Sequence, residues 1–259
     1  MSNSGLEGVV VADTRLSEVD GVHGRLLIGG HPVEQVAALG FESACCLLWD
    51  GVLPAGREGR VRVARVSAAL GLARRRAWAL MGDLGSALDA DDAMDGLRAA
   101  LAHVALGSAH EGIADVPWDA VTLTGATAVF AAAWARRAEG EPALEPHPRR
   151  SHASDYLRMR RGTVPQPVEA RGMDTYLATV CEHGMNASTF AARVVASTES
   201  DTVSAVVAGI GALKGRPQQA EKVTVAVESG LETLILEHAE NAAERAEASW
   251  SSVQAGRHL

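Results

Sequence analysis

Aromatic residues are scarce in this chain. Phe, Trp and Tyr make up 4% of 259 residues, although hydrophobic residues make up 47%. The interior must therefore be filled by Ala, Leu and Val, a composition that favours closely packed helices. Cysteine is almost missing: Cys45, Cys46 and Cys181 are the only three, and no CxxC pair exists. Adjacent cysteines do not normally bridge each other, so no disulfide framework is expected and a reducing, cytoplasmic compartment fits best. Positive charge is in deficit, with 24 Lys and Arg against 32 Asp and Glu and a net charge of -8. Such a balance argues against nucleic acid as a partner. No run approaches the roughly 18 uncharged apolar residues of a membrane span. The opening MSNSGLEGVV has neither a basic region nor a long apolar core, so no signal peptide and no membrane are expected.

Helical periodicity dominates what is there. VVVADTRLSEVDGVHGRLLIGG reads as two short strands around a turn at Asp20-Gly21. PVEQVAALG is a short helix, and FESACCLLWDG another, with Phe41, Cys45 and Leu48 on one face and Gly51 as its stop. RVRVARVSAALGL and RRAWALMGDLGSAL follow. LDADDAMDGLRAALAHVALG starts from an Asp cap. TLTGATAVFAAAWARRAEG is a long Ala-rich helix closed by Arg136, Arg137 and Gly140. EPALEPHPRRSHAS is a Pro-rich connection, after which SHASDYLRMRRG restarts a helix capped by Ser151 or Ser154. RGMDTYLATVCEH, NASTFAARVVAST and SDTVSAVVAGIGALKG are three more. A last amphipathic helix is expected from about Glu221 to Trp250. The basic clusters Arg74–Arg76 and Arg158–Arg161 are expected on solvated helix faces.

Three apparent motifs fail on spacing. LDADDAMDG lacks the turn glycine and closing Glu of a calcium loop, so helix capping is the better reading. Gly209, Gly211 and Gly215 in AGIGALKG match neither a dinucleotide fingerprint nor a phosphate loop; close helix packing explains them. His147 and His152 have no cysteine or carboxylate at ligand spacing, and no metal site is expected.

CEHGMNASTF, residues 181–190, carries the chemistry. Asn186, Ser188 and Thr189 are good helix starters. A helix start has unpaired N–H groups and a partial positive charge. His183, just ahead of it, can share that space with a carboxylate or a polarised carbonyl. The residues alone leave a second reading open, a histidine bonded to backbone in a cap.

CEHGMNASTFAARVVASTESDTVSAVVAGIGALKG resembles the core of the citrate synthase family (citrate and 2-methylcitrate synthases), whose bacterial members carry a histidine shortly before NAST. SGLEGVVVADTRLSEVDGVHGRLLIGGHPVE is similar to that family's N-terminal hairpin and FESACCLLWDGVLP to its next helix. AMDGLRAAL, ATAVFAAAWARRAEGE, SHASDYLRMRRG and MDTYLATVCEHGMNAST follow in the family's order. The likeness covers about residues 5 to 215.

The resemblance implies an all-α fold, a citrate synthase-like large helical domain with a short N-terminal β-hairpin. Residues 1–30 would be the hairpin of that domain and 31–215 its body. Residues 216–259 would be a C-terminal amphipathic helix and tail, with the family's small domain not recognisable. Family members are homodimers that condense an acyl-CoA, typically acetyl-CoA, with an oxo acid such as oxaloacetate. An Asp deprotonates the acyl group, one His stabilises the enol, and a second His polarises the oxo-acid carbonyl. Acyl-CoA is a substrate there, and no cofactor is implied. His183 falls on the carbonyl-polarising position, a catalytic and substrate-binding role, and Asn186 matches the Asn of the same motif. The departures follow. Where the family reads PLHGGA, this chain reads GRPQQAEK, with Gln218 or Gln219 in place of the enol-stabilising His. No segment matches the family's GHRVY-like stretch or the one with its Asp, and Ile28-Gly29-Gly30 replaces a Tyr-Arg-Gly stretch. The expectation is a retained oxo-acid site with impaired or no catalysis, in a homodimer or a heterodimer with a full-length paralogue. The alternatives are a non-catalytic regulatory partner of such a paralogue, or half of a split enzyme.

Overall fold

The computed structural model describes residues 14–107, 113 and 115–214. The chain opens with a small antiparallel sheet, β1 (Ser17–Asp20), β2 (Arg25–Ile28) and β3 (His31–Pro32), in that order. Ser17 faces Ile28 across β1 and β2, and Leu27 faces Pro32 across β2 and β3. The hairpin is as expected; the two-residue third strand is an addition. Asp20 closes the turn by accepting the Val22 and His23 N–H groups. Ile28 is fully buried among Val36, Ala44, Leu47 and Ala178, so one residue pins the sheet to the helices.

Nine α-helices follow among the described residues: α1 (Val33–Leu39), α2 (Phe41–Asp50), α3 (Gly56–Ala79), α4 (Ala93–Leu101), α5 (Trp118–Ala138), α6 (His152–Arg161), α7 (Pro167–Val180), α8 (Ala187–Ala196) and α9 (Thr202–Leu213). The architecture is mainly helical, as the sequence implied. The starts obey cap chemistry. Asp92 accepts from the Met94 and Asp95 amides, and Asp201 accepts from Ser204. Ser151, not Ser154, caps α6. Of the two helical stretches expected after Pro54, the first and the start of the second form one helix, α3, because no cap or breaker separates them; beyond Ala79 the second gives way to short 3-10 turns at Leu80–Gly82 and Ala87–Asp89. α2 is more deeply buried than one amphipathic face allows: Glu42 through Leu47 are all buried, between two apolar clusters.

α3 and α5 form the centre. Gly125 lets them approach so closely that a Cβ there would stand 2.6 Å from the Ala73 Cβ. Around α5, Leu88, Leu101, Val129, Phe130 and Met159 are sealed from solvent. Ala126, Ala128, Ala132 and Ala133 fill the space that a more aromatic interior would occupy. α4 and α9 pack on α5, and α8 packs on α9. A Cβ on Gly209 would lie 3.4 Å from the Ser188 carbonyl, so that glycine serves helix packing as expected.

Arg74 corrects the reading of the first basic cluster. Arg75 and Arg76 are exposed, but Arg74 and Asp155 are both fully buried and their Nε–Oδ2 distance is 2.9 Å. Arg74 Nη2 also donates to the Arg150 carbonyl at 2.9 Å, and Nη1 lies 3.2 Å from His152 Nδ1. The cause is position: Val66, Ala69, Leu70, Ala73 and Ala77 are the core-facing stripe of α3, and Arg74 lies on it. Of the second cluster, Arg158 pairs with Asp155, Arg160 with Glu139 and Arg161 with Glu169. Among the described residues no helix is long and apolar enough to cross a membrane. The expected helix from Glu221 to Trp250, and Gln218 and Gln219, lie outside the described residues.

Candidate functional site

Residues 181–186 link the end of α7 to the start of α8. Cys181 stays with α7, its thiol donating to the Ala178 carbonyl at 3.0 Å. Burial, then the neighbouring Glu182, pushes that thiol up to about 11, so it is not a ready nucleophile. Glu182 turns back toward β1: its Oε1 accepts the Ser17 hydroxyl at 2.8 Å and the Gly184 N–H at 2.6 Å. Gly184 has φ +93°, and a Cβ on it would meet Val19 Cγ2 at 3.0 Å. Only glycine takes this backbone at such proximity without strain.

His183 is exposed between these fixed points. Asn186 caps α8, its Oδ1 accepting the Thr189 N–H and the Ser188 hydroxyl, each at 2.9 Å. Its Nδ2 lies 3.4 Å from His183 Nε2. With the amide nitrogen as donor, Nε2 is the unprotonated nitrogen and Nδ1 carries the proton. The structure thus brings the two expected residues together at a helix start.

The electrostatics of that start are distinctive. Every other described α-helix has an acid at its cap or in its first turn: Glu34, Glu42, Glu58, Asp92, Asp119, Asp155, Glu169 and Asp201. α8 has a neutral cap and no acid in its first turn. No carboxylate at its cap or in its first turn offsets the positive end of this helix. A neighbouring imidazole N–H can donate to a carbonyl oxygen of a ligand.

Sequence reasoning missed two groups near this region. One is the Glu182–Ser17 contact, which no local pattern signals. The other is Asp174 of α7, whose Oδ1 accepts the Phe41 N–H at the start of α2 at 3.1 Å. Burial, reinforced by Glu42, raises Asp174 to about 6. A cleft of about 310 Å³ lies elsewhere, between α3, α5 and the segment after α4, with Arg76, Leu80, Val104 and Thr122 in its wall. No group of three or more His, Cys, Asp or Glu suited to a metal ion occurs among the described residues.

The family profile described as "Citrate synthase, C-terminal domain" matches residues 5–246. Citrate synthase of Mycolicibacterium smegmatis is 36% identical over 220 residues, which are 82% of this chain and 56% of that protein. The 2-methylcitrate synthase of Mycobacterium tuberculosis is 36% identical over 214 residues, 82% of this chain and 53% of the relative. The chain thus spans about half the length of the curated relatives it matches. Among solved structures, citrate synthase from Thermotoga maritima superposes with a TM-score of 0.69 at 28% identity, covering 100% of this chain and 66% of that one. The citrate synthase from Thermoplasma acidophilum, solved in ternary complex with carboxymethyl coenzyme A and oxaloacetate, superposes with a TM-score of 0.67 at 26% identity. It covers 83% of this chain and 57% of that one.

Proposed function

This chain belongs to the citrate synthase family, and we propose that it binds an oxo acid of the oxaloacetate class at the entrance of α8, with His183 polarising the ligand's carbonyl. The observation that carries this reading is the exposed His183, 3.4 Å from Asn186, at a helix start free of acidic side chains. The His183 N–H donates to the keto oxygen, drawing electron density from the carbonyl carbon. The free amides of the first turn of α8 take a carboxylate. Asn186 holds the start of the helix and faces the ring. In this reading residues 31–215 correspond to the family's large domain, with residues 1–30 as its hairpin.

Condensation also needs the acyl-CoA to be made a carbon nucleophile. The sequence supports loss of that half, because Gln218 or Gln219 stands where the family's enol-stabilising His is expected. A Gln hydrogen-bonds but does not take up or release a proton near neutral pH. Loss of one member of a cooperating set removes most of the rate. This chain alone then holds the acceptor without activating the donor. A second reading, a protein partner, is favoured by apolar side chains left exposed near the site: Phe190 and Val194 on α8, and Leu213 on α9. The partner would be a second copy or a full-length relative.

The test is a melting curve with oxaloacetate beside a CoA-release assay with acetyl-CoA. Oxaloacetate at about a hundred times its Kd stabilises a one-site binder by about 2.7 kcal/mol, a rise of several degrees. The rise should be lost in His183→Ala, and no CoA should be released. An unchanged melting point in both proteins refutes the binding reading. CoA release that disappears in His183→Ala refutes the loss of catalysis. Release that appears only on mixing with a full-length relative supports the partner reading.

A further inference from the structure

We infer that Glu182 is a positioning residue for His183, acting as a clasp that ties the histidine's turn to the N-terminal sheet. The inference rests on the reading of His183 given above. One carboxylate oxygen, Glu182 Oε1, accepts from Ser17 of β1 at 2.8 Å and from the Gly184 backbone at 2.6 Å. His183 lies between the clasping residue and the clasped amide. The backbone on both of its sides is thereby fixed, against a strand 165 residues away in sequence. Asn186 fixes the far end of the turn through the cap of α8. The ring itself is exposed, so no core packing orients it. Apart from the 3.4 Å contact of Nε2 with Asn186 Nδ2, its placement depends on the backbone, and the backbone on these two acceptors.

The sheet is a firm anchor for such a clasp. Ser17 pairs with Ile28 across β1 and β2, and Ile28 is completely buried against α1, α2 and α7. Val19 of the same strand fills the space beside Gly184. The clasp also turns a negative charge toward β1, when it would otherwise lie free beside a site for an anion. Contact between hairpin and turn is therefore part of the site's framework.

Four proteins test this: the native chain, Ser17→Ala, Glu182→Ala and Glu182→Gln. Two readouts are needed, the oxaloacetate Kd and the His183 ring resonance by NMR, identified by its loss in His183→Ala. Loss of one or two hydrogen bonds predicts Kd weakened about threefold in Ser17→Ala and about tenfold in Glu182→Ala. Glu182→Gln keeps an oxygen acceptor and should stay within about twofold of the native chain. The ring resonance should shift or broaden in Ser17→Ala and Glu182→Ala and return in Glu182→Gln. If Glu182→Ala does not fold, Ser17→Ala and Glu182→Gln still decide the matter. A ring resonance unmoved by Ser17→Ala, or a Glu182→Gln protein as impaired as Glu182→Ala, overturns the inference. If the native chain binds no oxaloacetate, the binding reading fails, and the ring resonance alone judges the clasp.

Discussion

Arg74 and Asp155 are the side chains for which the sequence gives least warning. A run of three arginines reads as surface, and only the stripe of small residues around it on α3 hints that one of them points inward. Burial lowers the Arg74 pKa, and the charge and hydrogen bond of Asp155 work against that shift. The pair is a poor guide to stability gained but a good guide to damage done, because removing one partner strands the other's charge. Arg74→Ala should cost about 3–5 kcal/mol in urea unfolding, and Arg74→Met with Asp155→Leu together should cost much less. A single-variant cost below about 1 kcal/mol would show that water reaches the site. Glu182 was equally hidden, since its partner is a serine in another element. His183 and Asn186 were legible, because a helix start advertises itself through local side-chain chemistry.

At the scale of the element, caps and periodicity carried most of the information. Asp92, Asn186 and Asp201 each lie directly before a helix and accept its first amides, as their residue types imply. What could not be read was length and depth. The sequence does not say that the second stretch leaves the helix after Ala79, or that α2 will be covered on both flanks. Those outcomes depend on neighbours that arrive from elsewhere in the chain. The α3–α5 crossing offers the clearest test. The Cβ of Gly125→Ala would press on the Ala73 side chain and on the backbone of α3, at 2.6 to 2.9 Å. Backbone cannot swing aside, so Gly125→Ala should destabilise by about 3 kcal/mol, measured by thermal or urea unfolding. A neutral result would mean that the two helices separate freely.

For the molecule as a whole, acidity acts in opposite directions through buried His152 and half-buried Asp174. His152 is held neutral, its pKa pushed down to about 3 by burial and then by Arg74. Below its ordinary value near 6.5 the unfolded chain takes up a proton that the folded chain refuses. Stability contributed there falls as pH falls. Asp174, raised from 3.8 to about 6, does the reverse: the folded chain binds its proton first, so stability rises as pH falls through that window. Asp174→Asn mimics the protonated form and keeps an acceptor for the Phe41 N–H. It should be more stable than the native chain at about pH 7, by roughly 1–2 kcal/mol given the partial access of water, and equal to it at about pH 4. A stability difference independent of pH would assign the effect to packing rather than ionisation.

The bond between Ser17 and Glu182 spans 165 positions of the chain, and that span has a consequence in time. The strand is synthesised before the helices, and its counterpart follows after seven of the nine described ones. Closing so long a loop costs only slightly more entropy than closing a shorter one, but contacts of such sequence separation slow folding. The turn that presents the histidine therefore gains its anchor only once strand and turn, far apart in the chain, have both been made.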